Sequence, residues 1–216
     1  MLARTCVVAC LMPHLALSPA TLTAIVITLS FAAGLNVYAT VFSLGAMARL
    51  HWIALPDGLG SLSDTWIMVA SGALFLVEIF ADKIPGFDVI WNALHTFVRI
   101  PVAALLAYGV GTHLSPEMHV LVTCLGAAIA ALAHGSKTAM RVAVLPSPEP
   151  LSNIGLSAGE DGIAIGLTWL VMHHPWIAGS AVLTLSIACA VGLWLGVKVI
   201  RAGWRRFAGT VVARPA

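Results

Sequence analysis

The sequence predicts an all-α, polytopic membrane helix bundle. Of its 216 residues, 60% are hydrophobic and only 9% are charged, and the mean hydropathy is +0.98. Long apolar runs recur along the chain, and about 20 helical residues are enough to cross a hydrocarbon core. These runs lack the alternation of barrel strands, and a helix satisfies its own backbone groups inside lipid. We therefore expect about six transmembrane helices and no separate soluble domain.

The candidate spans differ in length and regularity. They cover residues 21–48, 65–83, 101–114, 118–135, 154–172 and 177–199. The first is overlong and contains Gly34-Leu35-Asn36, which predicts a broken or strongly tilted helix. The third is short, so it is either tilted little or only partly inserted. The chain then divides into an N-terminal extension, a single transmembrane domain and a basic cytoplasmic tail, at residues 1–20, 21–200 and 201–216.

The basic residues predict the orientation. If both termini are cytoplasmic, ten of the eleven Lys and Arg residues face the cytoplasm and only Arg49 faces the other side. This bias satisfies the positive-inside rule and predicts a multi-pass protein of the bacterial inner membrane. Residues 1–17 also resemble a signal peptide, although Pro13 and His14 interrupt the apolar stretch. We favour an uncleaved, poorly ordered extension; cleavage would require the topology to be redrawn.

A short segment before the third span has a different pattern. Its polar residues fall within one sector of a helical wheel, with apolar residues on the other side. Pro101 should end this helix, since the residue before a proline is pushed out of the helical region. The sequence therefore predicts a short amphipathic or re-entrant helix at 88–99, preceded by a turn at Pro85-Gly86. The polar face comprises Asp88, Asn92, His95, Thr96 and Arg99.

Acidic residues inside apolar runs mark the candidate site. Glu78 and Asp82 share one face of the second span, and Glu160 and Asp161 lie at similar depth in the fifth. An ionisable residue at membrane depth usually faces a bundle interior or a wet cavity. With the nearby basic residues and histidines, these acids predict a polar vestibule that faces the cytoplasm. The full candidate set is Glu78, Asp82, Lys83, Asp88, His95, Arg99, His134, Lys137, Arg141, Glu160 and Asp161.

Purely structural roles for these residues stay open. Buried ion pairs also serve to hold helices together, and Asp82 beside Lys83 equally fits a pair that snorkels to the interface. His95 and His134 suit proton transfer or metal ligation, but hydrogen-bonded structural histidines have the same pattern. Asn36 in the first span either lines the same cavity or bonds to a neighbouring helix.

Other classes of function find no support in the motifs. The chain has no nucleophile elbow, Walker loop or HExxH sequence, so we expect no enzyme. Its four cysteines form no CxxC and support no metal site, and no cofactor is predicted; whether other residues bind a metal stays open. The expected partners are the lipid bilayer and a small ion or an anionic lipid headgroup; a homo-oligomer is compatible, and nucleic acid is not expected. The leading hypothesis is a small transporter or channel, the alternatives being a lipid flippase or scramblase and a non-catalytic membrane scaffold.

Several strings of the sequence carry a family resemblance. GLNVYATVFSLGAMARL, LVEIFADKIPGFDVIWNALHTFVRIPVAALLA, ALAHGSKTAMR and SPEPLSNIGLSAGED resemble an uncharacterised family of bacterial integral membrane proteins, over about residues 24–200. That resemblance implies a membrane location and no particular activity. The order of Glu78, Pro85-Gly86, Arg99 and Pro101 is also similar to that in DedA-type lipid transporters. Spacing and flanking residues differ, so this second likeness is an analogy.

Overall fold

In the computed structural model, the described residues are 18–84, 87–144 and 150–212, and their regular elements are all helices. The predicted all-α bundle is therefore confirmed. The N-terminal extension, the Pro85-Gly86 turn and the end of the tail lie outside the described residues. The helices are α1 (Pro19–Leu35), α2 (Val37–Arg49), a 3₁₀ helix (Asp57–Ser63), α3 (Thr65–Ala81), α4 (Phe87–Val110), α5 (Pro116–Val144), α6 (Pro150–His173) and α7 (Pro175–Val212).

Length and composition make four of these helices candidate membrane spans. They lie in α4, α5, α6 and α7, and the 3₁₀ helix with α3 forms a fifth if that pair, bent by 69°, counts as one span. The apolar helix α1 is shorter, at 17 residues. The total is roughly compatible with the six predicted spans, and the apolar helices indicate a multi-pass membrane protein.

The first predicted span is broken, as its sequence indicated. Asn36 has extended backbone angles and separates α1 from α2. Its side-chain oxygen accepts a hydrogen bond from the Ala39 amide, at 2.9 Å, and so caps the start of α2. An asparagine side chain makes this bond readily, which is why it favours a helix start over a helix interior.

The prediction that Pro101 ends a short helix is wrong. Pro101 lies inside α4, which runs without interruption for 24 residues. Residues 90–99 are thus the first half of the candidate membrane span Ile90–Val110. Proline removes one helical hydrogen bond, and in lipid neighbouring helices make such an interruption tolerable. The polar face of α4 is turned into the bundle, whereas Phe97 on its other side is 81% exposed.

Helix α1 occupies the centre of the bundle and packs against α4, α5, α6 and α7. Its close approach to α5 requires Gly34, because a Cβ atom there would lie 2.6 Å from the Ala130 carbonyl oxygen. Helix α7 is peripheral, with only 6% of its apolar window buried. The central position of α1 brings its break at Asn36 next to the polar residues of α4, α5 and α6.

Candidate functional site: a buried charged cluster

Six oppositely charged side chains meet inside the bundle. Helix α3 contributes one carboxylate, the residue that caps its C-terminus a second and α6 a third, while α4 contributes one cation and α5 two. These residues form the charged cluster: Glu78, Asp82, Arg99, Lys137, Arg141 and Glu160.

Arg99 links Glu78 to polar groups of α4 and α5. Its Nη2 donates to Glu78 Oε1 in a close contact, and its Nη1 donates to Asn92 Oδ1 at 2.9 Å. The same Nη1 lies 2.9 Å from His134 Nδ1, which must then accept the bond. His134 Nε2 is 2.7 Å from Thr96 Oγ1, to which it donates. This arrangement fixes a neutral imidazole with its proton on Nε2.

Lys137 lies at the centre of the cluster. Its ammonium nitrogen is 3.2 Å from Glu160 Oε2, 3.3 Å from Asp82 Oδ2 and 3.5 Å from Glu78 Oε1. It also donates to the backbone carbonyl of Leu35 at 3.1 Å. One cation therefore touches three carboxylates and the end of α1.

Arg141 joins the remaining two acids. Its Nη2 donates to Asp82 Oδ2 at 2.9 Å and to Glu160 Oε2 at 2.8 Å. Its Nη1 donates to the backbone carbonyl of Asp82 at 3.2 Å, and the Ser157 hydroxyl donates to Asp82 Oδ2 at 3.3 Å. The end of α3 is therefore tied to both α5 and α6. Asp82 is 1% exposed, so it is not a snorkelling interface residue.

The break between α1 and α2 lies beside the cluster. Because Asn36 captures the Ala39 amide, the Leu35 carbonyl is available to Lys137. A cation at the C-terminus of α1 and an anion near the N-terminus of α2 both complement the helix dipoles. The anion is Asp161, which accepts a hydrogen bond from Asn36 Nδ2 at 2.8 Å. The broken helix thus presents both of its internal ends to charged groups.

The cluster is closed in this structure. Glu78 and Arg99 are fully buried, and Glu160, the most exposed member, has 7% of its surface accessible. In place of the predicted open vestibule, the cluster residues form buried ion pairs in this structure. Glu78 Oε2 and Arg99 Nε are buried atoms for which no described residue provides a hydrogen-bond partner.

The eleven predicted site residues differ in their relation to the cluster. Seven lie together, namely the six cluster residues with His134 beside them. Asp161 is attached through Asn36, and His95 is a buried neighbour whose Nδ1 bonds to the Trp91 carbonyl at 2.8 Å. Lys83 is exposed, its ammonium 5.8 Å from the Phe80 ring centroid, and is not part of the cluster. The side chain of Asp88 lies outside the described residues.

Four groups that complete the site were not among the predicted site residues. Asn92 and Thr96 lay on the predicted polar face, and their helical spacing with Arg99 was the available signal. Ser157 lies one turn from Glu160 on α6, which could have placed it on the same face. The Leu35 carbonyl gave no signal, because a backbone acceptor becomes available only through the break at Asn36.

An apolar groove opens elsewhere on the bundle. It has a volume of about 370 Å³ and lies between α2, α3 and α6. None of its lining residues belongs to the charged cluster. They include Phe42, Ala46, Met47, Phe75, Ile165 and Trp169.

The chain matches one protein family over most of its length. That family is described as "Domain of unknown function (DUF4126)", and the match covers residues 23–195. The chain belongs to the DUF4126 family. This membership is consistent with the resemblance to an uncharacterised membrane family; the DUF4126 match does not bear on the likeness to DedA-type transporters. Neither a curated protein nor a solved structure matches the chain.

Among the residues that the structure describes, no group of three or more His, Cys, Asp or Glu side chains is placed to hold a metal ion. The carboxylates of the cluster instead surround the Lys137 ammonium. Three cationic and four anionic groups meet around the break when Asp161 is included, which leaves one carboxylate in excess. Such an excess is suited to binding a proton or a cation.

Proposed function

We propose that this DUF4126 protein is a small membrane transporter or channel that binds a cation or a proton at the charged cluster. The observation that carries the proposal is the convergence of the cluster on a broken helix. Discontinuous helices form ion and substrate sites in secondary transporters, where their free ends meet charged groups. Here Lys137 meets the Leu35 carbonyl, and Asp161 meets Asn36 at the other end of the break.

The degree of burial also supports a functional site. Taking several charges out of water is costly, and a well-packed apolar contact often stabilises as much as a buried ion pair. Helices that needed only to be held together would gain little from three cations and three carboxylates at one point. Ionisable residues inside membrane bundles generally mark ion pathways or proton relays. On this basis we propose transport rather than an enzymatic or purely structural role.

Flux measurements in proteoliposomes test the proposal. The parent should move cations or protons, whereas Glu78→Gln and Glu160→Gln should abolish that flux in protein that is less stable than the parent but still folded. The amide keeps the size of the carboxylate and removes its charge. Glu117→Gln is the matched control, because Glu117 is exposed at the start of α5, away from the cluster. Its flux should equal that of the parent.

A scaffold gives a different pattern of results. The parent would then show no flux of any tested cation or of protons, and both cluster variants would lose folded protein. Size-exclusion profiles and thermal unfolding separate lost folding from lost transport.

The apolar groove favours a second candidate, a lipid flippase or scramblase. A groove of about 370 Å³ lined by apolar side chains suits an acyl chain, and the basic residues would then meet a phosphate headgroup. In the cluster, however, Arg99 and Arg141 already contact carboxylates, which a phosphate would have to displace. We therefore favour cation or proton transport over lipid translocation. If the parent translocates lipid and Arg99→Ala and Arg141→Ala do not, the flippase or scramblase becomes the favoured function.

The location and orientation form part of the proposal. We propose a bacterial inner-membrane protein with both termini in the cytoplasm, as the distribution of basic residues favours. The closed cluster would then open towards the cytoplasm. A fluorescent protein fused after Ala216 should fluoresce, whereas an alkaline phosphatase fused there should be inactive. An active phosphatase would reverse the topology.

A further inference from the structure

The surroundings of the Lys137 ammonium form an oxygen cage. Four oxygens from three segments of the chain lie 3.1 to 3.5 Å from Nζ. An ammonium has three N–H donors, so four acceptors surround it as ligands surround an ion. Carboxylate and backbone carbonyl oxygens are also the groups that coordinate small cations at broken helices. The cage atoms are Leu35 O, Glu78 Oε1, Asp82 Oδ2 and Glu160 Oε2.

Lys137 is the cation of the cluster best able to leave. Arg99 is held by Asn92 and His134 as well as by Glu78, and Arg141 by the backbone of Asp82 as well as by side chains. Arginine presents a rigid fork, whereas lysine is a point charge on a flexible stem. Withdrawal of Lys137 would leave two guanidinium groups facing three carboxylates. These five residues would carry one net negative charge, to which Asp161 beside them adds a second.

An independent feature marks the same place. Glu78 Oε2 is fully buried and receives no hydrogen bond from any described residue, although Oε1 of the same carboxylate contacts two cations. A buried carboxylate oxygen without a donor is costly. A cation in the cage would satisfy it, because a carboxylate can coordinate one ion through both oxygens.

The charge and size of the cage indicate the ligand. Withdrawal of Lys137 removes one positive charge, so a monovalent cation restores the charge that the closed cluster carries. The distances of 3.1 to 3.5 Å around Nζ are also longer than the roughly 2.3–2.6 Å of calcium–oxygen contacts. They suit an ion of ammonium size, such as K⁺ or NH₄⁺.

We propose that this cage is a monovalent-cation site, which Lys137 fills with its own ammonium in the closed state and a free cation fills when Lys137 withdraws. The inference rests on the proposed function and names its substrate class. Lys137 would then compete with the free cation for the cage and neutralise the carboxylates when no free cation is bound. Exchange between the tethered and the free cation would couple ion binding to the state of the helix break at Asn36.

Thermal unfolding of Lys137→Met tests the proposal, since methionine has a similar length and no charge. K⁺ or NH₄⁺ should raise its midpoint in a saturable way, and choline at equal ionic strength should not. At 100 times the dissociation constant, the apparent folding constant should rise about 100-fold. The parent should respond far less, because its ammonium fills the cage. Lys83→Met, which alters an exposed lysine outside the cluster, should behave like the parent.

Other outcomes overturn the inference. Stabilisation of Lys137→Met by low pH alone, equal in K⁺ and choline, would show that a proton neutralises the vacated charge. If Lys137→Met folds in none of these buffers, the double variant Lys137→Met/Glu160→Gln is the deciding test. It removes one positive and one negative charge, so the cluster keeps the net charge of the parent. Folding of the double variant would then show that no free cation replaces the ammonium. Failure of both variants would show that Lys137 is needed for more than its charge.

This equilibrium test is separable from the flux assay. Saturable K⁺ stabilisation of Lys137→Met, together with a parent that transports nothing, would support the cation site and refute transport. Flux through the parent without any K⁺ or NH₄⁺ effect on the variant would support transport and refute this site.

Discussion

The contact between Glu78 and Arg99 allows a quantitative test of the buried cluster. Both side chains are completely buried, so removing either one leaves an opposite charge without its main partner. Breaking a buried ion pair in this way typically costs about 3–5 kcal/mol. We expect Arg99→Met to lose about 3 kcal/mol, near the lower limit, because Lys137 remains 3.5 Å from Glu78. Glu78→Gln should cost a similar amount, since Arg99 retains its bonds to Asn92 and His134.

The double variant Glu78→Gln/Arg99→Met distinguishes a true pair from two independent losses. It removes one charge of each sign, so the remaining cluster stays balanced. We expect it to be no less stable than either single variant, whereas independent effects would add to about 6 kcal/mol. Reversible unfolding in mixed detergent micelles, followed by tryptophan fluorescence, measures the free energies. Single variants within about 0.5 kcal/mol of the parent, or additive losses in the double variant, would refute the buried pair.

Two further predictions concern the packing and the break of the first span. Gly34→Ala should lower the free energy of unfolding by about 1–3 kcal/mol, because its Cβ would lie 2.6 Å from the Ala130 carbonyl oxygen. The control is Gly135→Ala, whose Cβ would meet nothing within 4 Å. It should lose no stability in the same unfolding assay. Equal losses in both would rule out a special approach at Gly34. Asn36→Ala should cost about 1–2 kcal/mol through the lost helix cap and leave Asp161 without its amide partner. Unchanged stability of that variant would mean that the break does not depend on Asn36.

Local patterns predicted much of the fold. Long apolar runs predicted helices, and the Gly34-Leu35-Asn36 string predicted the break, because both depend on residues close in sequence. Pro101 shows the limit of such reasoning. A proline disfavours a helix locally, yet α4 continues through it, packed against α1 and α5. The energy that decides this case comes from packing between helices, which local propensity does not contain.

The candidate site was likewise predicted in part from local sequence and decided in part by tertiary packing. Composition and periodicity alone predicted that Glu78 and Glu160 lie at membrane depth and face the bundle interior, because a charge exposed to lipid is costly. The partners of each acid depended on tertiary structure. Lys137 meets Asp82 across 55 residues of sequence.

The tertiary structure also decided which groups stay outside the cluster and which unexpected ones enter it. Lys83, adjacent to Asp82 in sequence, points away to the surface, whereas the Leu35 carbonyl enters because the chain breaks after it. Asn36 and Asp161 meet across 125 residues. The sequence by itself determined that charged residues stand within apolar helices, where they were expected to be buried. Only the packing of the helices determined which charges touch, because pairing acts over a few ångströms and depends on how distant segments are arranged.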